Sequence, residues 1–340
     1  HYNLGNILND IGKSQEAKIS YQKAIKLNPN YADAHYNMGN ILKDIGNLKE
    51  AELSYRKAIE HYPGFAQAYS NLGIILKDLG KLKEAEISFA KAINIKPSSM
   101  SYFAYASCLY EMKEFDSSIE NLYKSKEIVN VTSLLKSIQA SIVISESAKN
   151  LSVNFNEKKK QNKFFNKKID RLIINRKVED RLISYLYTIK TNQLDNTRDS
   201  RYGPGECSDF NLFDDPSPVI SKLSNDIEEI CKKELGVEKI FFCDSFFNIF
   251  VSGSGQPPHC HLSFRDQYFN LASKKYSLVY YLEIGDQNCE VPGILKLHDP
   301  DEDILPKKGM MIIIGAERFH SVSYCGNKNR VMLGINFYGL

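Results

Sequence analysis

Apolar positions along the first hundred or so residues recur at helical spacing, in blocks that repeat about every 34 residues. With His1, His35, Tyr69 and Phe103 set as equivalent starts, Leu4, Met38 and Leu72 coincide, as do Gly5, Gly39 and Gly73. Gly12, Gly46 and Gly80 come next, then Ala17, Ala51 and Ala85, then Tyr21, Tyr55 and Phe89. Ala24, Ala58 and Ala92 follow, and Pro29, Pro63 and Pro97 close the blocks. Each block predicts two amphipathic helices. Small residues at the Gly5 and Ala24 positions let the helices approach closely, and the proline stops the second helix. The fourth block, 103–136, is degenerate: Ser107 replaces the first glycine and no proline closes it, as in a capping unit.

The pattern then changes. Residues 137–195 read mostly helical and charged, ending in the amphipathic stretch Val178–Ile189. Turn chemistry follows at Tyr202-Gly203-Pro204-Gly205 and at Asp214-Asp215-Pro216-Ser217-Pro218, and a helix over Val219–Leu235 is stopped by Gly236. Short apolar runs separated by Gly, Pro, Asn and Asp then predict strands at Ile240–Val251, Ser277–Ile284, Ile294–Leu297, Met310–Ile314, Ser321–Tyr324 and Arg330–Phe337. So many strands without intervening helices predict an antiparallel sandwich or barrel, such as a jelly roll. The expected class is α+β and multidomain: an all-α solenoid over 1–136, a helical connection over 137–195 and a β-rich domain with flanking helices over 196–340.

The repeating pattern resembles the tetratricopeptide repeat over residues 1 to about 102. That resemblance implies a solenoid with a concave groove for a peptide or protein. The matched positions are packing positions and name no partner; His35, His61 and the repeat tyrosines read as core or surface. Because His1 opens a full repeat without an initiator methionine, further repeats are expected upstream, and the polar opening predicts no signal peptide.

At 340 residues, with 43% hydrophobic and 25% charged residues, the chain has ordinary globular usage and is long enough for about two domains. No apolar run approaches the ~20 residues a membrane-spanning helix needs, so no membrane partner is expected. The net charge of +3 points to no nucleic-acid partner. Residues 137–180 are locally basic, with ten Lys or Arg against five Asp or Glu, centred on Lys158–Lys160 and Lys167–Lys168; they read as a solvated helix face or linker. Seven scattered cysteines without a CxxC pair argue against zinc ribbons and disulfide scaffolds, and fit a reducing cytoplasm.

Histidine placement carries the candidate chemistry. Four of the seven histidines, His259, His261, His298 and His320, fall in the strand-rich end of the chain, and none lies between His61 and His259. His259 and His261 sit at i and i+2 in Pro257-Pro258-His259-Cys260-His261. On extended backbone both imidazoles point to one side, where they could ligate one metal, while Cys260 points away as a packing residue. His320 begins a predicted strand, and Arg330 follows ten positions later. A turn at Gly326-Asn327 predicts a hairpin with His320 and Arg330 on adjacent strands. Along the last strand Val331, Leu333, Ile335 and Phe337 share one face, expected to pack on helices. Arg330, Met332, Gly334 and Asn336 share the other, expected to line an interior. No GxGxxG, Walker or GxSxG motif is present.

These features in order, through Ser277–Leu282, Gly293–Pro300 and the closing Gly334-Ile335-Asn336-Phe337, resemble the 2-oxoglutarate and Fe(II)-dependent oxygenases. The likeness is to the prolyl-hydroxylase-related branch that carries HxH, over roughly 240–340, with weaker continuity back to Arg201-Tyr202-Gly203. The resemblance implies a double-stranded β-helix (jelly roll) in which His259, His261 and His320 hold Fe(II). Arg330 would pair with the distal carboxylate of 2-oxoglutarate, helped by Tyr280 or Tyr281, with Asn336 as a supporting hydrogen bonder. It implies oxidative decarboxylation of 2-oxoglutarate to succinate, coupled through O2 to hydroxylation of a C–H bond. The sequence departs from the broad pattern at His261, where most members place Asp or Glu; Asp266 or Asp299 could supply a carboxylate instead, and His298 a fourth imidazole. Two alternatives stay open: a cupin-like three-histidine metalloenzyme that does not use 2-oxoglutarate, and a non-catalytic repeat scaffold with a degenerate barrel.

Overall fold

The computed structural model describes residues 1–129, 132–153, 170–193 and 205–340. The lysine runs at 158–160 and 167–168, and Arg201-Tyr202-Gly203-Pro204, lie outside these residues. The chain divides into two compact units, one of residues 1–130 with 145–153 and one of residues 131–144 with 154–340.

In the first unit, paired helices follow one another: α1 (Tyr2–Asp10) with α2 (Ser14–Leu27), α3 (Ala32–Asp44) with α4 (Leu48–His61), α5 (Ala66–Asp78) with α6 (Leu82–Ile95), and α7 (Ser99–Glu111) with α8 (Phe115–Ile128). The glycine–aromatic matches are direct contacts. A Cβ on Gly5, Gly39 or Gly73 would come within 2.5–2.8 Å of the ring of Tyr21, Tyr55 or Phe89, so only glycine lets the two helices of a pair close over a buried ring. Gly12, Gly46 and Gly80 take φ of +77°, +78° and +74° in the turn between the helices. In the last pair Lys113 takes that left-handed position at φ +63°. The register also shifts there: α7 starts at Ser99, one position earlier than the interval from Ala32 of α3 to Ala66 of α5 would place it. Ala106, not Ser107, therefore occupies the glycine position of the fourth pair.

Helix α9 (Thr132–Val153) contributes residues to both units. The second unit continues with β1 (Leu172–Asn175), α10 (Asp180–Leu186), β2 (Asn192–Gln193), β3 (Gly205–Cys207) and α11 (Pro218–Leu235). Next come β4 (Ile240–Phe250), β5 (Ser254–His259), a kinked 3-10 segment (Phe264–Lys274) and β6 (Lys275–Ile284). The chain ends with β7 (Pro292–Leu297), β8 (Glu302–Ile304), β9 (Met310–Gly315), β10 (His320–Tyr324) and β11 (Arg330–Gly339). Two sheets result, of order β1-β9-β6-β11-β4-β3-β2 and β5-β10-β7-β8, with every strand pair antiparallel.

The period-2 pattern of β11 sorts its faces. Val331, Leu333, Ile335 and Phe337 share a core with Ile220, Leu223, Ile227 and Cys231 of α11, while Met332 packs with Tyr281, Leu295, Val322 and Tyr324 between the sheets. Helix α11 begins with Ser217, whose side chain accepts from the Val219 amide, and ends at Gly236 in the left-handed conformation.

The structure overturns two further expectations. Strands β10 and β11 are not a hairpin: β10 lies between β5 and β7, and β11 between β4 and β6 in the other sheet. Packed sheets stand about 10 Å apart, a gap that the turn at Gly326-Asn327 is long enough to cross. Residues 137–195 are also not uniformly helical, because Leu172–Asn175 pairs with β9 at the sheet edge. The sequence reading passed over β5, whose prolines disguise it. Pro257 and Pro258 fall in the interruption between the Gln256–Val322 and His259–His320 pairs, where the ladder needs no proline N–H.

Candidate metal centre

His259 is the last residue of β5, and His320, the first of β10, is its register partner. His261 lies just beyond β5, held by its amide donating to the Ala316 carbonyl at 2.9 Å. The ring centroids are 5.0 Å apart for His259–His261, 4.5 Å for His259–His320 and 5.0 Å for His261–His320. One nitrogen from each ring can be chosen so that all three lie within 4.8 Å of one another.

Burial sets the protonation of this cluster. The His261 imidazole is pushed down to about 2, by burial first and then by His320, His259 and Lys275. His320 is pushed down to about 4, again by burial first and then by His259. Both rings are therefore neutral at ordinary pH, and a neutral imidazole keeps one nitrogen lone pair for a ligand. Nδ1 of His259 lies 2.9 Å from the Pro257 carbonyl and Nδ1 of His320 lies 3.3 Å from the Arg318 carbonyl. A carbonyl only accepts, so each Nδ1 donates, and the neutral His320 ring keeps its Nε2 lone pair.

The carboxylate alternatives do not join the cluster. Asp266 is buried and committed elsewhere: it accepts from Lys275 Nζ at 3.0 Å, Tyr338 Oη at 2.6 Å and the Ser263 amide at 2.6 Å. These bonds fasten the segment after His261 to β6 and β11. Asp299 is exposed, before a cis peptide to Pro300. His298 sits 2.9 Å from Ser321 Oγ and 3.5 Å from Asp301. Among the described residues the candidate metal group contains neither aspartate and not His298.

Arg330 is fully buried between the sheets, 0% exposed, and among the described residues no carboxylate pairs with it. Its guanidinium donates to the Pro292 carbonyl at 2.6 Å, to the Ile284 carbonyl at 3.3 Å and to the Gly293 carbonyl. It lies over the Tyr324 ring at 4.9 Å and the Tyr281 ring at 5.7 Å. Gly293 has φ +76° and leaves no space for a Cβ against this guanidinium. Since Tyr324 pairs with Pro292 and His320 with Leu297, Arg330 sits four strand positions from the imidazoles, roughly 13 Å along β10.

The two tyrosines separate. Tyr280 faces the helices, where Arg176 Nη1 donates to its hydroxyl at 3.1 Å; this removes it as a ligand in the interior. Tyr281 faces inward, and its buried hydroxyl has no hydrogen-bond partner among the described residues. Asn336 Nδ2 is 3.3 Å from His261 Nδ1 and 3.5 Å from Asp244 Oδ2, while its Oδ1 is buried without a partner among the described residues. Asn248, which the sequence reading missed, pairs with Met332, is 1% exposed, and leaves both amide atoms without a partner among the described residues. The available signal was a lone amide in the run Phe246-Phe247-Asn248-Ile249-Phe250.

Three overlapping family models match the first unit: a TPR repeat model over residues 5–46 and tetratricopeptide repeat models over 32–65 and 54–87. The first unit carries tetratricopeptide repeats. Solved structures of MamA are similar to the chain: one is 23% identical, covering 43% of this chain and 85% of its own, with a TM-score of 0.40. Another is 22% identical, covering 45% and 82%, with a TM-score of 0.40. No protein of curated function matches the sequence. Among the described residues no helix is long and apolar enough to cross a membrane.

A polar ladder runs from one tetratricopeptide repeat to the next. Asn37 Nδ2 donates to Tyr2 Oη at 3.2 Å and Asn6 Oδ1 at 3.0 Å; Asn71 repeats this to Tyr36 Oη at 3.3 Å and Asn40 Oδ1 at 2.9 Å. Tyr21 and Tyr55 donate to Asn6 and Asn40 at 2.8 Å. Asn6, Asn9, Asp10, Tyr21, Asn37 and Asn40 line a cavity of about 320 Å³.

Proposed function

We propose that the β-rich unit is a 2-oxoglutarate- and Fe(II)-dependent oxygenase of the double-stranded β-helix (jelly-roll) type, and that the tetratricopeptide unit docks a protein or peptide for it. The convergence of His259, His261 and His320 carries this reading. Three imidazoles converging on a shared point, two of them held neutral by burial, suit a divalent first-row metal with open positions remaining. The sheet orders support it as well, since the strand bearing His320 lies between those bearing His259 and Leu297.

The interior of the same unit suits a dicarboxylate. Arg330 offers a buried positive charge without a carboxylate partner among the described residues, and Tyr281 Oη and Asn248 Nδ2 offer unused donors. Burying the Tyr281 hydroxyl and the Asn248 amide unpaired costs about 1–3 kcal/mol each, a cost that an anionic ligand in contact with them would relieve. When bound, Fe(II), 2-oxoglutarate and O2 would supply the oxidising chemistry, with succinate and a hydroxylated product formed. The chain's residues hold and orient: His259, His261 and His320 the metal, Arg330 and Tyr281 the distal carboxylate, Asn336 the His261 ring.

One observation favours a second reading, a three-histidine metalloenzyme that does not use 2-oxoglutarate: the Arg330 guanidinium already donates to three backbone carbonyls. The experiment is succinate release from 2-oxoglutarate with Fe(II) and ascorbate, run beside His320→Ala and Arg330→Ala. Release abolished in both variants supports the oxygenase. Bound metal without succinate in the parent chain supports the second reading, and failure to bind metal at all overturns both.

A further inference from the structure

Of the seven cysteines, Cys108, Cys207, Cys231 and Cys243 are buried, and burial pushes their thiols up to about 12. A thiol held that far above neutrality is inert. Cys289 and Cys325 differ. Both are half-buried, at the end of the β-rich unit opposite the histidines. Cys289 lies in the loop from β6 to β7, and Cys325 directly follows β10. Both sulfurs touch one residue: Cys289 Sγ donates to the Val291 carbonyl at 3.3 Å, and the Val291 amide donates to Cys325 Sγ at 3.2 Å. The Cys325 amide donates in turn to the Val291 carbonyl at 3.0 Å. Burial first, and then the neighbouring Cys325 thiol, raises the Cys289 thiol above its ordinary value; the shared contacts with Val291 bring the two sulfurs to one residue.

We propose that Cys289 and Cys325 are a dithiol that oxidises reversibly to a disulfide, fastening the β6–β7 loop to the turn between β10 and β11. With hydrogen peroxide as oxidant, one thiolate attacks an oxygen, giving a sulfenic acid and, with a proton, one water. The second thiol attacks that sulfur, its proton leaves with the hydroxide as a second water, and the S–S bond forms. Both sulfurs lose one electron, and the peroxide gains two. The neighbourhood gives the bond a mechanical consequence. Val291 precedes Pro292 and Gly293, whose carbonyls hold Arg330, and the Tyr324 hydroxyl beside Cys325 accepts from the Asp286 amide at 2.7 Å. The disulfide would lock the peptides that orient the buried guanidinium, whatever ligand that guanidinium serves.

The test is peptide mapping of the folded full chain after hydrogen peroxide, with free thiols alkylated before and after reduction. The expected result is a cross-linked Cys289–Cys325 peptide and, on alkylation after denaturation, five free thiols where the untreated chain has seven. Dithiothreitol should restore all of them. Cys289→Ser and Cys325→Ser should each abolish the cross-link, whereas Cys260→Ser should leave it intact. Separate sulfinic acids at Cys289 and Cys325 without a cross-link would overturn the proposal, as would pairing of either cysteine with Cys260. Oligomer formation through either thiol would overturn it equally. None of these readouts depends on metal binding or succinate release, so the oxygenase reading can fail without affecting this one.

Discussion

Asn336 on β11 reaches His261 across the space between the sheets, with its Nδ2 3.3 Å from the ring Nδ1. This contact ties the one imidazole of the histidine cluster outside a strand to the strand that begins with Arg330. In the structure's amide orientation Asn336 donates, which places the His261 proton on Nε2, 3.3 Å from His320 Nε2. Exchanging the two amide atoms would turn the partnerless Oδ1 toward Nδ1 and free Nε2 to ligate a metal.

Asn336→Ala should therefore weaken metal binding by about 10–100-fold while leaving the fold intact. Fe(II) or Co(II) titration of the purified chain, with circular dichroism as the folding control, measures this. Unchanged affinity would show that Asn336 does not orient His261.

Acid should destabilise the metal-free chain through the same cluster. The folded-state values of His261 and His320, about 2 and about 4, lie below the ordinary value of 6.5, so the unfolded chain takes up protons first as pH falls. Their contribution is full above about 6.5 and is lost progressively as pH falls towards those folded-state values. For His320 it is worth roughly 3 kcal/mol. Urea midpoints measured between about pH 7 and pH 5 should fall, and the slope should flatten in His320→Gln.

Asp266 and Lys275 form a buried ion pair at 3.0 Å. Asp266→Asn should cost about 3–5 kcal/mol, because it leaves the ammonium buried without its counter-charge. Urea unfolding reads the loss. Replacing both residues by apolar ones of similar volume should recover part of it.

In the repeats, Gly39→Ala drives a methyl to within 2.6 Å of the Tyr55 ring. Overpacking of this kind costs about 1–3 kcal/mol. Thermal melts should show the loss, and combining Gly39→Ala with Tyr55→Leu should cost less than the sum of the two changes.

Arg330→Met should cost about 2–3 kcal/mol, because the buried carbonyls of Ile284, Pro292 and Gly293 lose their donor. Arg330→Lys should recover only part of this, since an ammonium cannot reproduce the planar fork. Chemical denaturation of the three chains gives the comparison.

By itself the sequence determined what depends on near neighbours. Glycine and aromatic recur at one fixed interval because each helix pair packs on itself and on the next, so the repeat was legible from Gly5, Tyr21 and their equivalents. Alternation along β11 likewise assigned Val331, Leu333, Ile335 and Phe337 to one face, because successive side chains point to opposite sides of any strand. What tertiary structure alone decided was which strands became neighbours. Periodicity cannot show that β10 and β11 part into different sheets, that Tyr281 and not Tyr280 faces inward, or that Arg330 finds three carbonyls. Nor can it place Asn336 against His261, far apart in the chain. Those outcomes rest on contacts between distant segments, and local spacing carries no information about which distant segment will be met.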